Sequence, residues 1–180
     1  MYNSKEYKDF LSFKLKSADY HYKKCFDSET NPIQFEEGTD HQIIAASSEF
    51  TAMMLVYQST LDLLAQFINK HRHLKLARSS LYFSTIMNNV EKIPDMQESL
   101  NNLNANAKYL IDYCNTTKHR NLIEISEQWT FITPYQPMKL LLVSSFKKDG
   151  RSYDEKVLLD ISCEIHESFT QSIKILIDLV

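Results

Sequence analysis

The chain has 180 residues, 43% hydrophobic, 12% aromatic and 24% charged, which is enough for one domain, 1–180, with a full hydrophobic core. With 20 Lys+Arg against 23 Asp+Glu the formal charge is −3, so a nucleic-acid role has to come from a local patch and not from bulk charge. Gly38 and Gly150 are the only glycines, which excludes a glycine-rich phosphate loop or dinucleotide fingerprint and argues against a turn-rich β-sandwich.

The opening residues, MYNSKEYKDFLSFKLK, break every apolar pair with a charge, so no signal-peptide core is expected. The longest uninterrupted apolar run, Ala52–Tyr57, is far short of the roughly 20 residues that cross a bilayer. Cys25, Cys114 and Cys163 are odd in number and form no Cys-x-x-Cys pair. Three thiols in a reducing cytoplasm are expected, without membrane association.

Tyr7, Phe10, Leu11, Ala18, Tyr22 and Cys25 are spaced as one face of an amphipathic helix over Tyr2–Cys25. The polar stretch FDSETNPIQFEEGTD, with Pro32 and Gly38 as breakers, predicts a loop. The strongest periodicity follows: Ile43, Phe50, Met54, Tyr57, Leu61, Leu64 and Ile68 predict a long helix from His41 to about His71. Its end is basic, through Lys70, His71, Arg72, His73, Lys75 and Arg78, and admits either a solvated helix end or a phosphate-contacting patch. Leu81–Met87 predicts a short helix or buried linker, and Pro94 suits the first turn of the next helix. Met96, Leu100, Leu103, Ala107, Leu110, Ile111 and Cys114 predict a third long helix, running to about His119.

Around Trp129, Pro134 and Pro137 predict irregular structure, because closely spaced prolines interrupt helices and ladders alike. Asp149-Gly150, after the LLLV run, is a strong hairpin signal, since a type I′ turn needs positive φ at both central residues. Ser152-x-x-Glu155 resembles a capping box opening the last helix, whose stripe is Leu158, Ile161, Ile165, Phe169, Ile173, Leu176 and Val180. The expected fold is all-α: a bundle of four to five main helices with one small β-hairpin before the C-terminal helix.

Candidate chemistry concentrates at the end of the third helix, in DYCNTTKHRN. Lys108, Asp112, Asn115 and His119 fall on one strip beside the apolar stripe, combining an ammonium, a carboxylate, an amide and an imidazole. An imidazole there is suited to acid–base work near neutral pH, and Lys118 and Arg120 supply anion attraction. The same cations also complement a helix C-terminus, which is the plainer reading. Cys114 to Arg120 has the Cys-x5-Arg spacing of a phosphatase loop, but lacks the glycine-bearing cradle, so Cys114 is expected in the core. His71 and His73, two apart, cannot share a metal on a helix, and the chain has no Glu-x-x-His pair. No metal or other cofactor is expected. His21, His41 and His166 receive no role.

A long helix ending in NTTKHR, Asn115 to Arg120, resembles the signature helix of HEPN-like domains. An aromatic-rich long helix before it (Phe50 to Asn69, with Tyr57 and Asp62), a hairpin at Asp149-Gly150 and a closing C-terminal helix fit the same comparison. The resemblance implies an all-α bundle, often a homodimer, in bacterial defence, toxin–antitoxin or RNA-processing systems. Many such domains are metal-independent endoribonucleases whose site forms across the dimer interface from an Arg-x4–6-His motif. By that match His119 is the family histidine acting near the scissile phosphate, and Asn115 is the polar residue that follows the arginine. Lys118, Arg120 and Lys108 are then the phosphate contacts. Cys114 stands where the family has arginine, and no other arginine has a histidine at the required distance. The functional expectation is an RNA-binding domain or degenerate endoribonuclease. Its alternative is a non-catalytic dimeric scaffold or regulator with a cognate protein partner.

Overall fold

The computed structural model describes residues 3–30, 39–77, 79, 81–118, 123–133 and 136–180. The molecule is a mostly helical bundle with a small antiparallel β-region before the C-terminal helix, as the sequence predicts. Two long helices, α1 (Ser4–Thr30) and α2 (Thr39–His71), run antiparallel, pinned side by side by Lys14–Ser59 and His21–Glu49 hydrogen bonds. At 1.5 Å per residue the 33-residue α2 is about 50 Å long. A short α3 (Phe83–Met87) follows, then a 3₁₀ turn at Pro94–Met96 leads into α4 (Gln97–Lys118). The final helix, α5 (Leu158–Leu179), packs on α1, α2 and α4.

Periodicity explains the core. Phe50, Met54, Tyr57, Leu61, Leu64 and Ile68 of α2 are buried, and Ile43 is half-buried. The α5 stripe from Leu158 to Leu176 is buried at every expected position, with Val180 half-buried at the chain end. On α4, Ile111 alone of the expected stripe is half-buried. The α1 face is Tyr7, Leu11, Leu15, Ala18 and Cys25, whereas Phe10 points outward at 42% exposure. At 100° per residue Phe10 lies about 90° off the mean direction of that face, while Leu15 lies on it.

Three local expectations are corrected. Helix α1 continues past Cys25 through the start of the expected loop; positions 31–38 lie outside the described residues. The region around Trp129 is not irregular: β1 (Ile125–Thr133) and β2 (Gln136–Val143) form a long antiparallel ladder. Pro137 is tolerated because it is the second residue of β2 and sits beside a register shift between Phe131 and Thr133, where a missing donor breaks little. The expected capping box does not form either. Ser152 pairs with Lys147 in the hairpin of β3 (Phe146–Lys148) and β4 (Arg151–Tyr153), and Lys156–Val157 adds a short β5 to β2. Helix α5 therefore opens only at Leu158, with Val157 as its N-cap and no side-chain cap. The Asp149-Gly150 turn has φ of 48° and 80°, as a type I′ hairpin requires.

Candidate functional site

A cleft of about 340 Å³ opens between α2, α3 and α4. Asn115 and Lys118 enter it from successive turns of α4, Gln58 and Asp62 from successive turns of α2, and Tyr82 stands at the start of α3. Gln58 links the two predicted residues. Its amide nitrogen donates to Asn115 Oδ1 at 3.3 Å, and its amide oxygen accepts from Lys118 Nζ. Burial raises the Asp62 carboxyl above its ordinary range, against a hydrogen bond from the Phe83 backbone N–H and the charge of Lys118. Tyr82 is 57% exposed, an aromatic ring presented to solvent at the cleft that Lys118 also lines. The cleft thus offers amide donors and acceptors, an ammonium, a carboxyl group of raised pKa and a stacking surface.

The structure brings together only part of the predicted set. His119 and Arg120 lie outside the described residues, as does Arg78. Lys108 is exposed and does not line the cleft. Asp112 leaves the expected polar strip altogether. It is buried, takes two hydrogen bonds from Arg151 (2.7 and 2.8 Å) and accepts a third from Tyr153 Oη at 2.6 Å, which ties α4 to the β3–β4 hairpin. Cys114 is fully buried, and burial pushes its thiol up to about 12, so it provides neither a thiolate nor a phosphate contact.

A second polar cluster escaped sequence reasoning. Tyr57, His166 and Thr170 meet where α2 faces α5: Tyr57 Oη lies 2.9 Å from both His166 Nδ1 and Thr170 Oγ1. His166 stacks on Tyr22 at 4.2 Å, and its Nε2 faces Asp19 Oδ1 at 3.6 Å. A proton on Nε2, directed at Asp19, makes Nδ1 the acceptor of the Tyr57 hydroxyl. Burial holds His166 below its ordinary pKa, partly countered by Asp19 and Glu167, which favours the neutral ring. Nothing in the spacing of α2 and α5 residues signals this pairing, because Tyr57 and His166 are 109 positions apart.

Among the described residues no three His, Cys, Asp or Glu side chains converge as a metal set, and no helix is long and apolar enough to cross a membrane. Cys25, Cys114 and Cys163 form no disulfide. Comparison of the chain with protein-family models, with curated proteins and with solved structures finds no match.

Proposed function

We propose that the chain is a HEPN-like domain that contacts single-stranded RNA in the cytoplasm through the α2–α3–α4 cleft. One observation carries this reading: Lys118 and the exposed ring of Tyr82 border one cleft with the Gln58–Asn115 amide pair. A cation for phosphate, a ring for base stacking and amides for base edges are the elements of single-strand recognition. His119 and Arg120 follow Lys118 directly in sequence and belong to the same proposal, His119 as acid–base group and Arg120 as phosphate contact. Binding is its main part, because the position of the family arginine is occupied by the core side chain Cys114.

The test is fluorescence anisotropy of a labelled single-stranded RNA. Lys118→Glu is expected to weaken binding about tenfold and to lower the salt slope by about 1. Tyr82→Ala is expected to cost about 1–3 kcal/mol of affinity. Unaltered affinity in both variants overturns the reading. Cleavage of the same RNA in excess chelator, lost in His119→Ala, establishes a ribonuclease; equal cleavage in both proteins assigns His119 no catalytic role.

A dimeric scaffold with a protein partner is the second reading. It is favoured by the outer face of α1, where Phe13 is 68% and Tyr20 56% exposed, seven residues apart on the same side. Sedimentation of the native chain and of Phe13→Glu, read together with the RNA affinities, separates the two: a dimer that the substitution dissociates, in a chain that binds no RNA, supports the scaffold.

A further inference from the structure

Lys70, His71, His73 and Lys75 of the basic run at the end of α2 line one wall of a pocket of about 770 Å³, with His73 and Lys75 exposed at its edge; further lining comes from the start of α1 and from Leu81. Helix α2 ends in a Schellman motif: Leu74 N–H bonds Asn69 O at 3.1 Å, and His73 N–H bonds Lys70 O at 3.4 Å. The residue after the cap in this motif is usually glycine, because it takes positive φ; here it is His73, at 50°. Two residues on, Lys75 has φ of 58°. Asn69 holds that second turn with a double hydrogen bond to Leu76, its Oδ1 accepting from the backbone N–H at 3.0 Å and its Nδ2 donating to the carbonyl at 3.2 Å.

The floor of the pocket is carbon. Tyr7 and Leu81 are 2% and 6% exposed and Leu76 is packed on the core. The mouth is basic: Lys70 and Lys75 bring ammonium groups to it, His71 and His73 bring imidazoles, and among the described residues no carboxylate lines it. Lys70 and His71 serve the carbonyl end of α2, but His73 and Lys75 lie beyond it. Arg72 is turned elsewhere, to Asp95 Oδ2 and the Leu179 carbonyl, both at 2.6 Å. His71 Nε2 is buried and has no hydrogen-bond partner among the described residues, while the ring packs on Phe67 at 4.6 Å. A carbon floor with a cationic rim selects a ligand with a flat apolar body and a multiply charged anionic head.

We propose that this pocket binds a small aromatic phosphate ester, its ring against Tyr7, Leu76 and Leu81 and its phosphate at His73 and Lys75. The site is separate from the α2–α3–α4 cleft, so this inference and the RNA reading stand or fall on different residues and different probes.

The experiment is calorimetric titration of the full chain with 1-naphthyl phosphate, 1-naphthol and inorganic phosphate. The phosphate ester is expected to saturate one site at least tenfold more tightly than either fragment. Lys75→Gly removes an ammonium group and His73→Gly an imidazole hydrogen-bond donor, and each relieves positive φ, so both variants are expected to fold at least as stably as the native chain. Both are nevertheless expected to bind the ester at least fivefold more weakly. Ester binding unchanged in both folded variants overturns the proposal. So does an ester that binds no better than naphthol or phosphate alone, or no saturable binding at millimolar ester.

Discussion

Asp112 and Arg151 meet in a two-point ion pair, with Nε–Oδ2 at 2.7 Å and Nη2–Oδ1 at 2.8 Å, although 39 residues separate them in sequence. The carboxylate is 4% exposed and the guanidinium 50%, so a buried anion is held by a cation that still touches water. Asp112→Ala is expected to lower stability by about 1–3 kcal/mol, the cost of leaving Tyr153 Oη without its acceptor while Arg151 resolvates. A urea midpoint unchanged from the native protein contradicts the assignment.

The same carboxylate sets an acid limb. Burial alone would raise its pKa, but hydrogen bonds from Arg151 and Tyr153 outweigh burial and hold it below the ordinary range. The unfolded chain therefore binds the proton first, at about pH 4, and stability falls as pH drops from there through the folded-state value. Asp112→Asn should flatten this limb in urea melts between about pH 5 and 3. A limb of undiminished slope in the variant would show that another carboxyl causes it.

His166 gives a second limb with the same sign at higher pH. The groups facing it are Asp19, Tyr22 and Lys23 from α1, Tyr57 from α2, and Glu167, Thr170 and Lys174 from α5. Its folded-state pKa lies below the unfolded value of about 6.5, so stability is full above that pH and declines as pH falls below it. His71 adds in the same direction, being lowered first by burial and then by Lys70, Lys8, His73 and Arg72. The His166→Gln variant is expected to lose part of the change between about pH 6.5 and 5. Proton NMR titration of the ring measures the shift directly.

Leu61 is 1% exposed at the middle of α2. Leu61→Ala should cost about 2–5 kcal/mol, from lost burial and the cavity left behind. A loss under about 1 kcal/mol in denaturant melts would remove this stripe from the core.

Gly150 has φ of 80° and open space around the position a Cβ would take. Gly150→Ala is therefore a pure backbone test, with an expected loss of about 1 kcal/mol and no steric component. Thermal unfolding of the two proteins reads it.

The α5 stripe and the Asp149-Gly150 turn were legible in the sequence because each depends on neighbours a few residues away. The β1–β2 ladder was not, since Pro134 and Pro137 read as breakers until Pro137 is seen at the strand start beside a register shift. Asp112 read as part of a polar strip because helix geometry places it beside Asn115 and cannot show that Arg151 folds back to meet it. Asn115 and Lys118 were proposed from their helix alone, but Gln58, which joins them, comes from another helix, 57 positions away from Asn115. The positive φ of His73 and Lys75 has no signature in a residue type that normally avoids it.

The Tyr57–His166 hydrogen bond also orders events during synthesis. At about 5–20 residues per second the ribosome delivers α1 and α2 early, and these can pair by local contacts as they emerge. The acceptor for the fully buried Tyr57 hydroxyl lies 109 residues downstream, so it arrives about 5–20 s later. Until α5 docks, the helical pair carries a polar group inside its apolar face, so the nascent chain satisfies the Tyr57 hydroxyl only once α5 has been made.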